Sequence, residues 1–310
     1  MEDNVQKKSR FNKHRFIENL QIYSLFLPVL ILIFIFHYVP MYGVVIAFQD
    51  YMPGNPFIGR YAEWVGLANF TRFMRSEFFF RLIRNTLVLS GLNLIFGFTT
   101  PIVFALLIDQ ITALRFKKFI QTASYMPYFI SWVIVAGMAI SFIDVNGLVT
   151  NFLTIFGVAP RNFRVVPTAF PVVYTITMVW KNFGFGSILY IATITSIDPG
   201  LYESAKLDGA NRWKQVWHIT LPGLKHVIII HLILAIGGIL HANTELILLL
   251  YTPATYVTAD VIGTYMYRVG ILGGQFSLTT AAGLFMSGIG FILAFSANRI
   301  SNKVTGLGFW

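Results

Sequence analysis

The chain contains no cysteine. A disulfide scaffold, a thiolate zinc site and a thiol nucleophile are therefore excluded. Charge is also scarce: 12% of the 310 residues are Asp, Glu, Lys or Arg, against about 25% in an ordinary soluble domain. No G-x-x-x-x-G-K-[ST] run occurs, so the chain cannot cradle nucleotide phosphates in that way. The six histidines are scattered, and no pair sits at ligand spacing with supporting acids, so no metal site is expected. Asp144, Asp198 and Asp260 all lie near the ends of apolar runs. A catalytic pair at membrane depth is thus missing.

Apolar side chains fill the space that charge leaves. The sequence is 56% hydrophobic and holds 30 phenylalanines. A helix crossing a bilayer needs about 20 mostly apolar residues. Six stretches meet that length: 22–48, 86–108, 119–143, 170–196, 225–251 and 276–298. The expected fold is an all-α integral membrane protein with six transmembrane helices. The net charge of +10 does not point to nucleic acid, because the basic residues gather at the ends of apolar runs, as membrane orientation requires. The N-terminus is basic, but the run after it is longer than a signal-peptide core and lacks a clear cleavage site.

Orientation follows from Lys and Arg. With the N-terminus inside, the inner segments hold Lys7, Lys8, Arg10, Lys13, Arg15, Arg115, Lys117, Lys118, Lys206, Arg212, Lys214, Lys225, Arg299 and Lys303. The outer ones hold Arg60, Arg72, Arg75, Arg81, Arg84, Arg161, Arg164 and Arg268. The excess inside predicts N-in and C-in. Within the long first outer loop, "NFTRFMRSEFFFRLIRNTL" brings Phe70, Phe73, Phe79, Leu82 and Ile83 near one helical face. It reads as one amphipathic helix at the interface.

Between the fourth and fifth runs lies "YESAKLDGANRWKQVWHITLPGL", charged and helix-forming. Asp198 can cap a helix that Pro199 opens. Gly209 can end it in the left-handed conformation. A second short helix would carry Trp213, Val216 and Trp217 on one stripe, with Pro222 closing the unit. Such a segment is either an amphipathic connector or a docking surface for a soluble partner, and the residues alone leave both open.

The spacing of Glu203, Ala205, Gly209, Ile219, Leu221 and Pro222 resembles the "EAA" cytoplasmic loop of permease subunits in binding-protein-dependent ABC importers. Ser204 stands where that family usually has a second alanine. "GLANFTRFM", "NTLVLS", "YMPYFIS" and "SIDPGLYESAKLDGA" are similar to segments of the sugar-importing permeases. "ADVIGTYMYRVGI" and "GLGFW" look closest to the subgroup for oligosaccharide and polysaccharide-fragment uptake. The resemblance implies a basic cytoplasmic N-terminus at 1–21, and a first span with the external amphipathic segment at 22–78. The first span is then one extra N-terminal helix, followed by a five-helix permease core at 79–300 and a cytoplasmic tail at 301–310. Residues 199–222 would be the coupling helix, with Glu203, Ser204, Ala205, Asp208, Gly209, Ile219, Leu221 and Pro222 at the ATPase-docking surface. The implied partners are a second homologous permease, two copies of a nucleotide-binding ATPase subunit, an extracytoplasmic solute-binding protein and the lipid of a bacterial cell membrane. No cofactor is expected on this chain, and ATP and Mg would be used by the ATPase subunits.

A sugar cavity needs aromatic faces and neutral amides, and polar groups at membrane depth are costly unless functional or paired. The candidates are Tyr128, Trp132, Trp180, Asn182, Tyr190, His241, Asn243 and Glu245, with Asn93 also able to join two helices by hydrogen bonding. Tyr128 and Trp132 could instead fill a helix interface. Glu245 could serve substrate, a gate or a structural ion pair, beside a helix break expected at "GGILHANTE". Lys181 could snorkel or pair with a carboxylate of the second permease. The competing function is an ion-coupled secondary transporter, for which only Glu245 and Lys181 are strong candidates and inverted repeats are not evident.

Overall fold

The computed structural model describes residues 13–59 and 62–306. Lys7, Lys8, Arg10, Arg60 and the chain beyond Gly306 therefore lie outside the described residues. Every regular element among the described residues is a helix. One isolated bridge joins Gln49 and Trp64.

The chain opens with α1 (Lys13–Ile33), which continues through a wide turn into a 3-10 run, Tyr42–Phe48. Then come α2 (Ala68–Met74), α3 (Phe79–Leu92) and α4 (Phe98–Asp109). Next are α5 (Leu114–Tyr125), α6 (Trp132–Ile143) and α7 (Leu148–Thr154). The expected fourth span forms α8 (Phe170–Gly186) and α9 (Ile188–Thr195). The charged segment forms α10 (Pro199–Leu207) and α11 (Arg212–Gln215), and α12 (Leu221–Gly237) follows. Short helices α13 (Thr244–Leu250), α14 (Tyr256–Ala259) and α15 (Ile262–Tyr265) lead to the long α16 (Phe276–Thr305).

Five stretches are long and apolar enough to cross a membrane: Tyr23–Phe48, Phe79–Asp109, Trp132–Thr154, Arg212–Gly237 and Phe276–Lys303. Three expectations need correction. The third apolar run is not one helix from 119. Pro127, which has no backbone N–H, sits in a 3-10 turn at Met126–Phe129, and α6 restarts behind Ser131, whose side chain accepts from the Ile134 amide. The fifth run starts earlier and ends earlier than 225–251. Pro222 does not close a unit there, because it lies in the first turn of α12, directly after a π-turn at Val216–Thr220. A π-turn widens the backbone ladder where a proline would otherwise clash. Finally, "NFTRFMRSEFFFRLIRNTL" is not one interfacial helix. It breaks between α2 and α3, and Phe73 and Leu82 are buried against Tyr265, Leu278 and Met286.

Three apolar clusters hold the bundle. One joins Leu89, Ala136, Tyr174 and Leu246. The second centres on Phe73 and Leu82. The third joins Ala105, Tyr190, Ile194 and Leu224. The side chains of 23–42 are exposed in the isolated chain.

A polar brace ties α3 to the 253–272 region. Asp260 is fully buried and accepts from Arg268 at 2.8 and 3.2 Å, from Arg81 at 3.2 Å and from the Thr264 hydroxyl at 2.8 Å. Asn85 donates to the Asp260 carbonyl at 3.0 Å. The Asp260 carboxylate holds the Arg268 guanidinium above its usual range. Removing one partner of such a group strands the others, so Asp260→Ala should cost about 3–5 kcal/mol. The thermal midpoint in detergent measures this, with the exposed Glu63→Ala nearly silent.

Candidate functional site

The charged segment is built by local capping. Asp198 accepts from the Gly200 amide at 2.9 Å, and Pro199 occupies the first turn of α10. At the other end Gly209 has φ +76°. Its amide donates to the Lys206 carbonyl at 3.1 Å, and the Ala210 amide donates to the Ala205 carbonyl at 2.8 Å. This pair of bonds is a Schellman closure. Asn211 then caps α11 through the Lys214 amide at 2.9 Å. The Gln215 side chain donates to the Ala210 carbonyl at 3.0 Å, and Tyr202 and Thr220 hydroxyls pair at 3.0 Å. Burial pushes the Tyr202 phenol up, and the Thr220 bond pulls it back. Arg212 reaches the Gln110 carbonyl at 3.4 Å, anchoring the segment to the end of α4.

The outer side of this rigid turn is open. Glu203, Ser204, Asp208, Gly209 and Pro222 are exposed, and Ala205, Ile219 and Leu221 are half-buried. Leu207 stands at the tip with 90% of its surface exposed, and Trp213 and Trp217 are exposed beside it. Val216, the third member of the expected stripe, is buried.

A cavity of about 670 Å³ lies among α3, α5–α6, α8, α12 and the 238–243 break. It brings together Tyr128, Trp132, Asn182, His241 and Asn243, along with Asn93. Trp180 faces elsewhere, onto an apolar cleft of about 480 Å³ lined also by Val135, Met138 and Val172. Tyr190 is fully buried, its hydroxyl bonded to His231 Nδ1 at 2.6 Å. Glu245 lies in the first turn of α13, where the helix dipole favours an acid. It is not among the cavity's walls, and among the described residues no ion pair includes it. The break expected at "GGILHANTE" is present. Asn243 caps α13 through the Leu246 amide at 2.9 Å, and its own amide donates to the Tyr174 hydroxyl at 2.9 Å.

Ser90, Lys181 and His231 also line this cavity, and none was a candidate for it. Ser90 is three residues before Asn93, on the same helical side. That spacing, and a lone histidine inside the apolar run of α12, were the available signals. No Asp or Glu lines the cavity among the described residues.

Residues 97–306 match the family of binding-protein-dependent transport system inner membrane components. The chain belongs to this family. It is 43% identical over 290 residues to the polygalacturonan/rhamnogalacturonan transport system permease protein YteP of Bacillus subtilis, covering 93% of this chain and 90% of that one. It is 40% identical over 285 residues to Protein LplB of the same organism, covering 91% and 88%. A crystal structure of a bacterial ABC transporter that imports the acidic polysaccharide alginate contains a chain 41% identical to this one. It superposes with a TM-score of 0.84 over 94% of this chain and 98% of that one. The protein is thus an ABC importer permease, with the fold of that family, and the ion-coupled alternative is not favoured.

The absence of native cysteine makes the cavity easy to probe. In the assembled transporter, Asn182→Cys and His241→Cys should react with a water-soluble maleimide at least about tenfold faster than Ala105→Cys, which is buried. Equal rates at all positions would mean the cavity is closed to water.

Proposed function

We propose that this permease carries acidic oligosaccharides inward across a bacterial cytoplasmic membrane, driven by ATPase subunits that grip residues 199–222. The carrying observation is the pairing of a capped, exposed lever with a sugar-sized cavity free of carboxylates. Leu207 and the two tryptophans offer apolar contacts within a charged surface, as a docking site does. The cavity offers aromatic rings, amides and imidazoles, which suit the faces and hydroxyl edges of sugars. With Lys181 and two histidines and no acid among the described residues of its walls, it does not repel uronates. The relatives named for polygalacturonan and alginate support that substrate class.

On this reading the chain spans the membrane six times, N-in and C-in, with α8 and α9 together forming the fourth crossing. Its partners are a second permease, two ATPase subunits that use ATP and Mg, and an extracytoplasmic solute-binding protein. A solved relative in complex with its pentasaccharide-bound periplasmic protein supports the last of these. ATP-driven closure of the ATPase pair would move the lever and switch the packed helices between discrete arrangements.

Two measurements test this. Proline cannot adopt the Gly209 φ of +76°, so Gly209→Pro should abolish copurification of the ATPase from detergent extracts while the chain still reaches the membrane. In liposomes, the assembled transporter with its binding protein should take up a galacturonate trisaccharide only when ATP is supplied. Uptake by the chain alone without ATP would overturn the reading.

A further inference from the structure

Lys181 is buried at 5% exposure, and no carboxylate pairs with it among the described residues. Its ammonium has three donors, and three carbonyls receive them: Pro127 at 3.2 Å, Tyr128 at 2.6 Å and Ile130 at 2.5 Å. These carbonyls belong to the turn where α5 gives way to α6. There Ile130 and Ser131 are extended at ψ 137° and 151°, so the amides four residues on cannot reach back to these carbonyls; only the Pro127 carbonyl keeps a backbone donor, the Ile130 amide at 3.2 Å. The cation therefore stands in for the amide donors that an unbroken helix would have provided.

Two further residues of α8 meet the same turn. Lys181, Gly184 and Phe185 fall at i, i+3 and i+4, on one helical face. A Cβ on Gly184 would strike the Ser124 carbonyl, so α5 and α8 approach backbone to backbone. The Phe185 ring stacks on Tyr128, with centroids 3.9 Å apart and planes 5° off parallel. The ammonium also lies 5.5 Å from the Tyr128 ring and 4.9 Å from the Trp132 ring. Both rings line the cavity. Their positions are thus set from α8 across the gap.

An ammonium whose three protons are already placed is poorly suited to bind a passing solute. We propose that Lys181 is a positioning residue. It closes the Tyr128 and Ile130 carbonyls, shares the Pro127 carbonyl with the Ile130 amide, and so holds Tyr128 and Trp132 as a rigid aromatic wall against which the sugar rests. The sugar part rests on the function proposed above; the closure of the turn does not. The rival role is a direct partner for a substrate carboxylate.

The test uses the full transporter in lipid nanodiscs with its binding protein. Hydrogen exchange in the peptide 124–134 should rise about tenfold in Lys181→Met, with α10 unchanged. Half-saturation of ATPase stimulation should rise by a similar factor for a galacturonate trisaccharide and for its neutral methyl ester, with a smaller change in maximal rate. Unchanged exchange overturns the proposal, and so does a shift confined to the charged sugar. If Lys181→Met fails to assemble, Phe185→Leu keeps the ammonium and removes the stack. It must still speed exchange of the same peptide, and no change there also overturns the proposal. If neither sugar stimulates the unaltered transporter, the substrate reading fails, and the exchange measurement still decides the role of Lys181.

Discussion

Hydrocarbon cannot hydrogen-bond a peptide group, and each one left open at membrane depth costs several kcal/mol. The bundle nevertheless interrupts its helices at 126–131, at Ser187 and at 238–243. Each interruption is closed by protein. Lys181 closes the first through three carbonyls. The Ser187 amide bonds back to Phe183 and Gly184, and its hydroxyl donates to the Gly184 carbonyl at 2.5 Å. Asn243 and Tyr174 close the third.

Two of these breaks face the same space. The first contributes Tyr128 and, just beyond it, Trp132; the third contributes Gly238, Ile239, His241 and Asn243. Irregular backbone is tolerated in a membrane where it is buried in protein or lines a wet cavity, and here it does both. Both breaks thus carry their hydrogen-bond repair within the cavity wall itself.

The regular parts of this design were readable in advance. Long apolar runs announced the bundle, and Asp198, Pro199 and Gly209 wrote the first helix of the charged segment in sequence order. The two glycines before His241 marked a real break. Directions of side chains were harder to read. Trp180 and Tyr190 are aromatic in an apolar run, as Tyr128 and Trp132 are, and nothing in composition says which way each faces. Trp180 turns to an apolar cleft and Tyr190 to His231. The proline rule misled twice in opposite ways. Pro127 broke a run counted as continuous, whereas Pro222 sits in the first turn of a continuous helix after a π-turn. Local neighbours decide which, and a single sequence shows them poorly.

The continuity at Pro222 matters most for how the two sites relate. From Arg212 the helix runs 26 residues without interruption to Gly237, about 39 Å at 1.5 Å per residue. Gln215 near its start bonds the Ala210 carbonyl just beyond α10, and Thr220 farther along pairs with Tyr202 of α10. Its last residue adjoins the break that supplies His241 and Asn243 to the cavity. Had Pro222 ended a separate unit, a push on α10 would have been absorbed in a hinge beneath the membrane. A continuous helix instead places the next break in the chain at 238–243, on the cavity wall. On the proposed reading, a push on α10 is thus carried through one helix to the wall against which the solute is held.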